Sequence, residues 1–443
     1  MVIDSIKINY YKSIKEPLVL DMQPINIFIG QNNCGKSNVL DAIAYAVSPD
    51  LKKSKYFYAK ADIELTIKFT EETVRRHQLP ASIGSLQIKE ENREIVFANQ
   101  TLPVKKSLLN ILTPKIKRLD EEAFQNFAQI ETDYHNLFNF PGFLNKFKDN
   151  LQKHFPKISA TKNALDINYE HDGLYEGDRR VTIDRLGSGF QRIFTMLLYI
   201  FHPEYTIVMI DEPETHLHPA VIKKVLWAMQ NSQAGQVIFT THSPLFIKPI
   251  TLPQVVRFVK EKNSTKAFSL TQHNLNVQRL IQELNADNLE MFFADKVLLV
   301  EGVSDKLIMR GLIDKFYQGD KDIKVIQTHG KGNVKIYVHL LDIYKIPYSI
   351  MLDRDATKTQ QLRTLMHHME INLPPLKDEE LIKNLKKYSI YILPNGDLEA
   401  NYPRRYQNED SKSLNALRAA RQIRQSDFDG REMTNLKEII NSL

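Results

Sequence analysis

"FIGQNNCGKSNVLDAI", residues 28–43, decides how this 443-residue chain is read. The stretch fits G-x-x-x-x-G-K-[ST]. It lies after the apolar run "INIFIG" (25–30) and before a helical pattern, the context in which that spacing has physical meaning. Gly30 and Gly35 let the loop wrap so that backbone N–H groups face phosphate oxygens. The helix start adds its positive end, Lys36 is expected to reach the β- and γ-phosphates, and Ser37 to ligate Mg²⁺. A chance glycine-rich turn is the plain alternative, and the flanking strand and helix weigh against it.

Working outward, further apolar runs occur at "YTIVMIDE" (205–212), "QVIFTTH" (236–242), "KVLLVEG" (296–302), "IKVIQT" (323–328), "YSIMLD" (348–353) and "SIYIL" (389–393). Continuous apolar runs alternating with helical patterns read as buried parallel strands, so the expected class is α/β with two sheets. The boundaries expected are a first domain over 1–258, a connector over 259–289, a second domain over 290–405 and a helical segment over 406–443. Within the first domain the stretch from about 100 to 157 reads as a mostly helical insertion, rich in Lys, Asn, Phe and Leu and carrying Pro103, Pro114, Pro141 and Pro156. "HNLNVQRLIQELNADNLEMFFADK" (273–296) reads as a helical connector, and the chain turns polar and arginine-rich after Pro403.

Composition sets bounds. Lys+Arg number 59 against 53 Asp+Glu, a net of +6, which is compatible with nucleic acid without arguing for it. One cysteine excludes an internal disulfide framework and a Cys-based zinc site, and fits a reducing cytoplasm. The N-terminus lacks a signal pattern and no apolar run reaches membrane-spanning length, so a cytoplasmic location without a membrane partner is expected.

Two later motifs extend the nucleotide site. "IVMIDEPETHLHP" ends an apolar strand in Asp211, suited to hold magnesium directly or through water, and in Glu212, suited to polarise an attacking water. "FTTHSP" ends the next strand at His242. A single histidine is more often structural, but at a strand tip beside this loop it is suited to the γ-phosphate. "LGSGFQRIFTMLLYI" (186–200) places two glycines around Ser188 at a helix start, where serine alone could be only an N-cap.

A second constellation is acidic. "KVLLVEGVSDKLIMRGL" (296–312) puts Glu301 at a strand tip, then Gly302, then Asp305 at a helix start. In "SIMLDRDAT" (349–357) Asp353 and Asp355 point to one side of a strand end, because side chains alternate with period two. Like charges held together repel unless a cation sits between them. Hard carboxylate oxygens suit Mg²⁺, and one or two such ions can activate water and stabilise the leaving oxygen of a phosphodiester. The bland readings are a helix-start acid, favourable anywhere, and a solvated turn neutralised by its own Arg354.

The order G-x-N-N-x-G-K-S-N, G-x-G-x-Q-R, D-E-P-x-x-H-L-H-P and T-H-S-P resembles the ABC-type ATPases of the SMC/RecF-like group. That resemblance implies that Asn32, Asn33 and Asn38 belong to the ATP site with Gly30, Gly35, Lys36 and Ser37. It implies that Ser188 completes the ATP site of a second subunit, so that ATP closes two heads into a homodimer or larger homo-oligomer. In "YKSIKE", Lys12 lies where the group has a basic residue near the nucleotide, and a Q-loop glutamine is expected between Ile63 and Leu186. The acid-Gly, helix-start Asp and D-x-D order resembles the Toprim domain, a Rossmann-like fold whose clustered acids hold Mg²⁺. An ABC-type P-loop ATPase followed by Toprim is the arrangement of the OLD (overcoming lysogenization defect) family. There "DLE" follows a later strand, which "LPNGDLEAN" supplies as Asp397 and Glu399, and a lysine assists cleavage, for which "EDSKSLNALRAA" offers Lys412. OLD proteins are DNA nucleases, several of them in antiphage defence, acting alone or with a helicase-like protein or a retron (its RNA/DNA and reverse transcriptase).

The resemblance therefore implies an ATP-binding and ATP-hydrolysing, Mg²⁺- or Mn²⁺-dependent DNA endonuclease, nicking or cutting both strands. Glu301, Asp305, Asp353, Asp355 and Glu399 would be metal ligands. The alternative of a different class is an ATP-driven DNA-binding or sensor module, as in DNA repair, whose Toprim part scaffolds or gates a partner. The complete acidic set favours the nuclease. A topoisomerase or primase would need further domains.

Overall fold

The computed structural model describes residues 1–47, 57–89, 92–97, 100–103, 112–154, 158–160, 167–169, 179–181, 183–185, 187–270, 284 and 286–443. It divides into two compact units, Met1–Gln272 and His273–Leu443. The α/β class holds in both.

In the first unit a six-stranded sheet runs, edge to edge, Ser264–Ser269, Val255–Glu261, Ile25–Gly30, Gln236–Thr241, Ile207–Asp211 and Ile116–Leu119. All but the antiparallel Ser264–Ser269 are parallel. Ile25–Gly30 and Gln236–Thr241 are buried at every residue, as expected of strands covered on both faces. Helix Ser188–Phe201 is buried from Arg192 to Phe201. A second, antiparallel sheet contains Leu18–Asp21, Val2–Tyr11, Phe57–Lys68, Ile83–Lys89, Asn92–Phe97 and Gln100–Pro103 in that order. Buried Gln236 joins the two sheets, accepting from Ile3 N–H at 3.1 Å and donating to the carbonyls of Ile3 and Gln23, each at 2.9 Å. Three short antiparallel strands, Ile158–Ala160, Ile167–Tyr169 and Arg179–Val181, form a further small sheet.

Three boundaries differ from the sequence expectation. The stretch 100–157 is not only helical. It opens with strand Gln100–Pro103 and supplies the edge strand Ile116–Leu119 before helices Glu121–Gln125, Phe127–Leu137 and Pro141–His154. The first unit does not stop at 258. Val255–Glu261 turns through Lys262 and Asn263, both at positive φ, into Ser264–Ser269, and this hairpin lies against the phosphate-type loop. A Cβ on Gly30 would meet the Phe258 carbonyl oxygen at 2.3 Å, and one on Gly35 the Thr265 hydroxyl at 2.2 Å. Of the expected connector, residues 271–283 and 285 lie outside the described residues.

The third difference concerns residues 406–443, which are part of the second unit's core. That unit holds a four-stranded parallel sheet ordered Ile323–Gln327, Lys296–Val300, Tyr348–Leu352, Ile390–Ile392. Helix Lys412–Gln422 buries Ala416, Ala419 and Ala420, and this small-residue face lets it approach helix Val303–Phe316 closely. A Cβ on Gly311 would come within 2.6 Å of the Ala420 Cβ. Leu436, Ile439 and Ile440 of the last helix join the same core. Gly311→Val should therefore lower stability by about 1–3 kcal/mol, the usual cost of overpacking, read as a drop in melting temperature by circular dichroism. An unchanged melting temperature would contradict this helix contact.

Candidate functional sites

In the first unit, Asp211 pairs with Thr240, and Thr240 with Phe28, across neighbouring parallel strands. That register brings Asp211, Thr240 and the loop after Gly30 to one edge of the sheet, the carboxyl ends of the strands, where α/β sheets bind ligands. A cleft there is lined by Asn32, Asn33, Gly35, Lys36, Ser37, Asn38, Glu212, Thr240 and His242. Gly30 and Gly35 have φ of +142° and +103°, which glycine adopts without strain. Lys36 is buried, and its Nζ donates to the carbonyls of Gly30 (2.9 Å) and Gln31 (3.0 Å) and lies 2.9 Å from His242 Nε2. Burial lowers the pKa of Lys36, and burial followed by the Lys36 charge lowers that of His242.

Ser37 donates to Asp211 Oδ1 at 3.3 Å and Thr240 to the same oxygen at 2.8 Å. Glu212 adopts φ +47°, a strained conformation for a residue with a side chain, and its Oε1 lies 3.6 Å from His242 Nε2. The strain is held from behind: buried Arg192, of the "GFQR" motif, donates to the Glu212 carbonyl at 3.1 Å. Asn38 lines the cleft while donating to Ser13 at 2.6 Å. Lys12 forms an ion pair with Asp41. Ser188 is exposed in the first turn of its helix and does not line the cleft of its own chain.

Sequence reasoning missed two residues here. Arg118, at the end of the short edge strand, pairs with Asp41 and donates to Asp211 Oδ2 at 2.9 Å. Among the described residues no glutamine between Ile63 and Leu186 lines the cleft, and Arg118 is the side chain from that region that reaches Asp211. Glu214 accepts from the Thr241 hydroxyl (2.8 Å) and the His242 N–H (2.7 Å), fixing the histidine's backbone, and burial raises its pKa.

In the second unit, Glu301 and Asp353 follow the carboxyl ends of adjacent parallel strands. The Asp353 N–H donates to Glu301 Oε1 at 2.9 Å. Among the described residues, Glu301, Asp353 and Asp355 form the one three-acid group whose carboxylate oxygens lie within 4.8 Å of one another. Donors of that spread and hardness fit a divalent ion bonded at roughly 2.0–2.6 Å. Arg354 does not neutralise them, since its guanidinium donates to the Pro394 carbonyl at 2.6 Å. Lys331, also unforeseen, sits there instead, bonded to Asp355 and 3.6 Å from Glu301 Oε2.

Asp305 does not enter that trio. Its carboxylate accepts from the Gly302 N–H at 2.8 Å and feels the charges of Glu399, Lys412 and Asp397. Lys412 Nζ lies 3.0 Å from both Asp397 Oδ2 and Glu399 Oε2. Burial, then repulsion from Asp305, Glu301, Asp355 and Asp397, pushes the Asp353 carboxyl up to about 7. Burial also raises Glu301 and Asp305.

The comparisons with known proteins agree with these two halves. Residues 25–248 match the family model described as "AAA domain, putative AbiEii toxin, Type IV TA system", and residues 292–355 match "Overcoming lysogenization defect protein-like, TOPRIM domain". The chain belongs to that AAA-domain family, whose model spans half of it, and carries an OLD-like TOPRIM domain. It is 22% identical over 450 residues to the Old nuclease of Escherichia phage P2, covering 79% of this chain and 77% of that one. It is 22% identical over 252 residues to Endonuclease GajA of Bacillus cereus (strain HuB5-5), covering 49% of this chain and 33% of that one. Superposition on an SMC head bound to the C-winged helix domain of ScpA gives a TM-score of 0.48 at 16% identity, over 61% of this chain and 99% of that one. The two family matches give the chain an ATPase domain and a TOPRIM domain. No helix among its described residues is long and apolar enough to cross a membrane.

The crowded acids predict a pH signature. Glu301, Asp305 and Asp353 bind protons more tightly folded than unfolded. The native state then carries the extra protons above the ordinary carboxyl range, so stability falls as pH rises toward about 7. In EDTA the melting temperature of the parent chain should fall across that window relative to that of Asp353→Asn. Asp353→Asn should flatten the fall, and Mn²⁺ should reverse it. Equal slopes for the parent chain and Asp353→Asn would contradict the crowding.

Proposed function

We propose that this chain is an ATP-regulated, divalent-metal-dependent DNA endonuclease acting in antiphage defence. The observation that carries the reading is the convergence of Glu301, Asp353 and Asp355 within 4.8 Å, with a second acidic set of Asp305, Asp397 and Glu399 around Lys412. Bound Mg²⁺ or Mn²⁺ would activate water and stabilise the leaving oxygen of a phosphodiester. Around it, Glu301 and Asp355 supply hard oxygens from two loops, and Asp353 stands between the two sets. Lys412 offers a positive charge to the cleaved strand.

In the ATPase domain, Lys36 and His242 would hold the phosphates, with Asn32, Asn33, Asn38 and Lys12 around the nucleotide. Ser37 and Asp211 would hold Mg²⁺, and Glu212 would orient the attacking water. Ser188, exposed at its helix start, would complete the ATP site of a second copy, joining two heads. Similarity to the Old nuclease and to Endonuclease GajA supports the nuclease assignment, and the resemblance to OLD proteins, several of them in antiphage defence, supports the role. A helicase-like protein or a retron is the kind of further partner this role would involve.

The test is plasmid incubated with the purified chain and Mg²⁺ or Mn²⁺, with and without ATP. Asp353→Ala should reduce cutting by at least roughly 100-fold, the scale lost when a metal site is compromised, while ATP hydrolysis persists. Lys36→Ala should abolish nucleotide binding, and its effect on cutting shows whether ATP licenses or restrains the nuclease. Nucleotide-dependent DNA binding without cutting by the parent chain would favour a DNA-binding module whose TOPRIM domain gates a partner.

A further inference from the structure

The cation already lying among the acids is part of the chain. Lys331 opens helix Lys331–Ile343 just after Gly330, whose φ of +112° turns the chain into it. This turn is tied to the strand end that carries Glu301. The buried Thr328 hydroxyl donates to the Val300 carbonyl at 3.1 Å, and the Gly330 N–H donates to the Glu301 carbonyl at 3.1 Å. The tether delivers the Lys331 ammonium onto Asp355 and to 3.6 Å from Glu301, two of the three carboxylates suited to a divalent ion. Its side chain is only 19% exposed, and the other nearby cation, Arg354, is committed to Pro394.

An ammonium and a divalent ion cannot share the same oxygens, because they repel each other at that range. Whichever enters displaces the other. A lysine so displaced keeps its anchor in the backbone but swings on a flexible four-carbon stem, unlike a planar, fork-bonded arginine. The anion that the proposed reaction brings to this place is a DNA phosphate. We propose that Lys331 is a substrate-contacting residue whose ammonium is stored on Glu301 and Asp355 and passes to a non-bridging oxygen of the scissile phosphate once a divalent ion claims those carboxylates. This rests on the nuclease reading. Lys412 differs, since it bonds Asp397 and Glu399 and is 65% exposed.

The experiment compares the parent chain with Lys331→Met and Lys331→Arg, each checked by thermal melting. Mn²⁺ binding is followed by electron paramagnetic resonance, and plasmid cutting is measured at saturating Mn²⁺. Lys331→Met should bind Mn²⁺ about tenfold more tightly, having no ammonium to displace, yet cut with a kcat at least about tenfold lower. Lys331→Arg should keep the weaker Mn²⁺ binding of the parent, its fork holding the carboxylates, while its kcat stays below the parent's. Equal Mn²⁺ affinity in the parent and Lys331→Met would overturn the proposal, and so would tighter binding with unchanged kcat. A parent that binds Mn²⁺ but cuts no DNA would sink the nuclease reading and with it the phosphate contact. The difference in Mn²⁺ affinity would still decide whether Lys331 occupies the cation's place.

Discussion

Carboxylates held within 4.8 Å of one another repel, and the second unit is built to hold three of them there. At an effective dielectric of about 20, two ionised groups at that separation oppose each other by about 3 kcal/mol, and by less where Asp355 reaches water. The fold does not relax this by spreading the acids apart. Adjacent parallel strands fix Glu301 and Asp353 at neighbouring ends, and the Asp353 backbone N–H takes one Glu301 oxygen. Arg354, the nearest basic residue in sequence, is drawn off to Pro394. Lys331 offsets part of this repulsion, and the cost that remains is intelligible if a divalent ion is the fuller partner.

The ATPase domain solves a similar problem with cations of its own. Asp211 stands at a strand end within reach of Ser37, Thr240 and Arg118, and Asp41 takes Lys12 and Arg118. Lys36, suited to phosphate, rests on loop carbonyls beside His242. In each domain basic side chains occupy the neighbourhood where a metal or phosphate charge belongs. On the proposed reading, a metal ion would replace a basic side chain at the acids, and a phosphate would draw Lys36 off its loop carbonyls.

Long buried strands and glycine-dependent loops were legible in the sequence because their signal is local. "INIFIG" and "QVIFTT" are buried at every residue, and the loop glycines do adopt positive φ. What escaped depended on contacts far along the chain. "IKRL" is a four-residue edge strand with two basic residues, too short and polar to stand out, yet it brings Arg118 to Asp211. "KEKNSTK" looks like a linker but is a hairpin turn against the nucleotide loop. Lys331 lies between two acidic motifs, and only the parallel sheet brings it to both. Self-neutralisation by the arginine between Asp353 and Asp355 was the plain alternative, and that guanidinium instead bonds the Pro394 carbonyl.

The central claim is that Glu301, Asp353 and Asp355 share one divalent ion. The most direct measurement is an anomalous difference map from crystals grown with Mn²⁺. A peak bonded to all three carboxylates, with the Lys331 ammonium moved off them, is the predicted result. A map in which Mn²⁺ binds elsewhere while Lys331 keeps its place between Glu301 and Asp355 would contradict it.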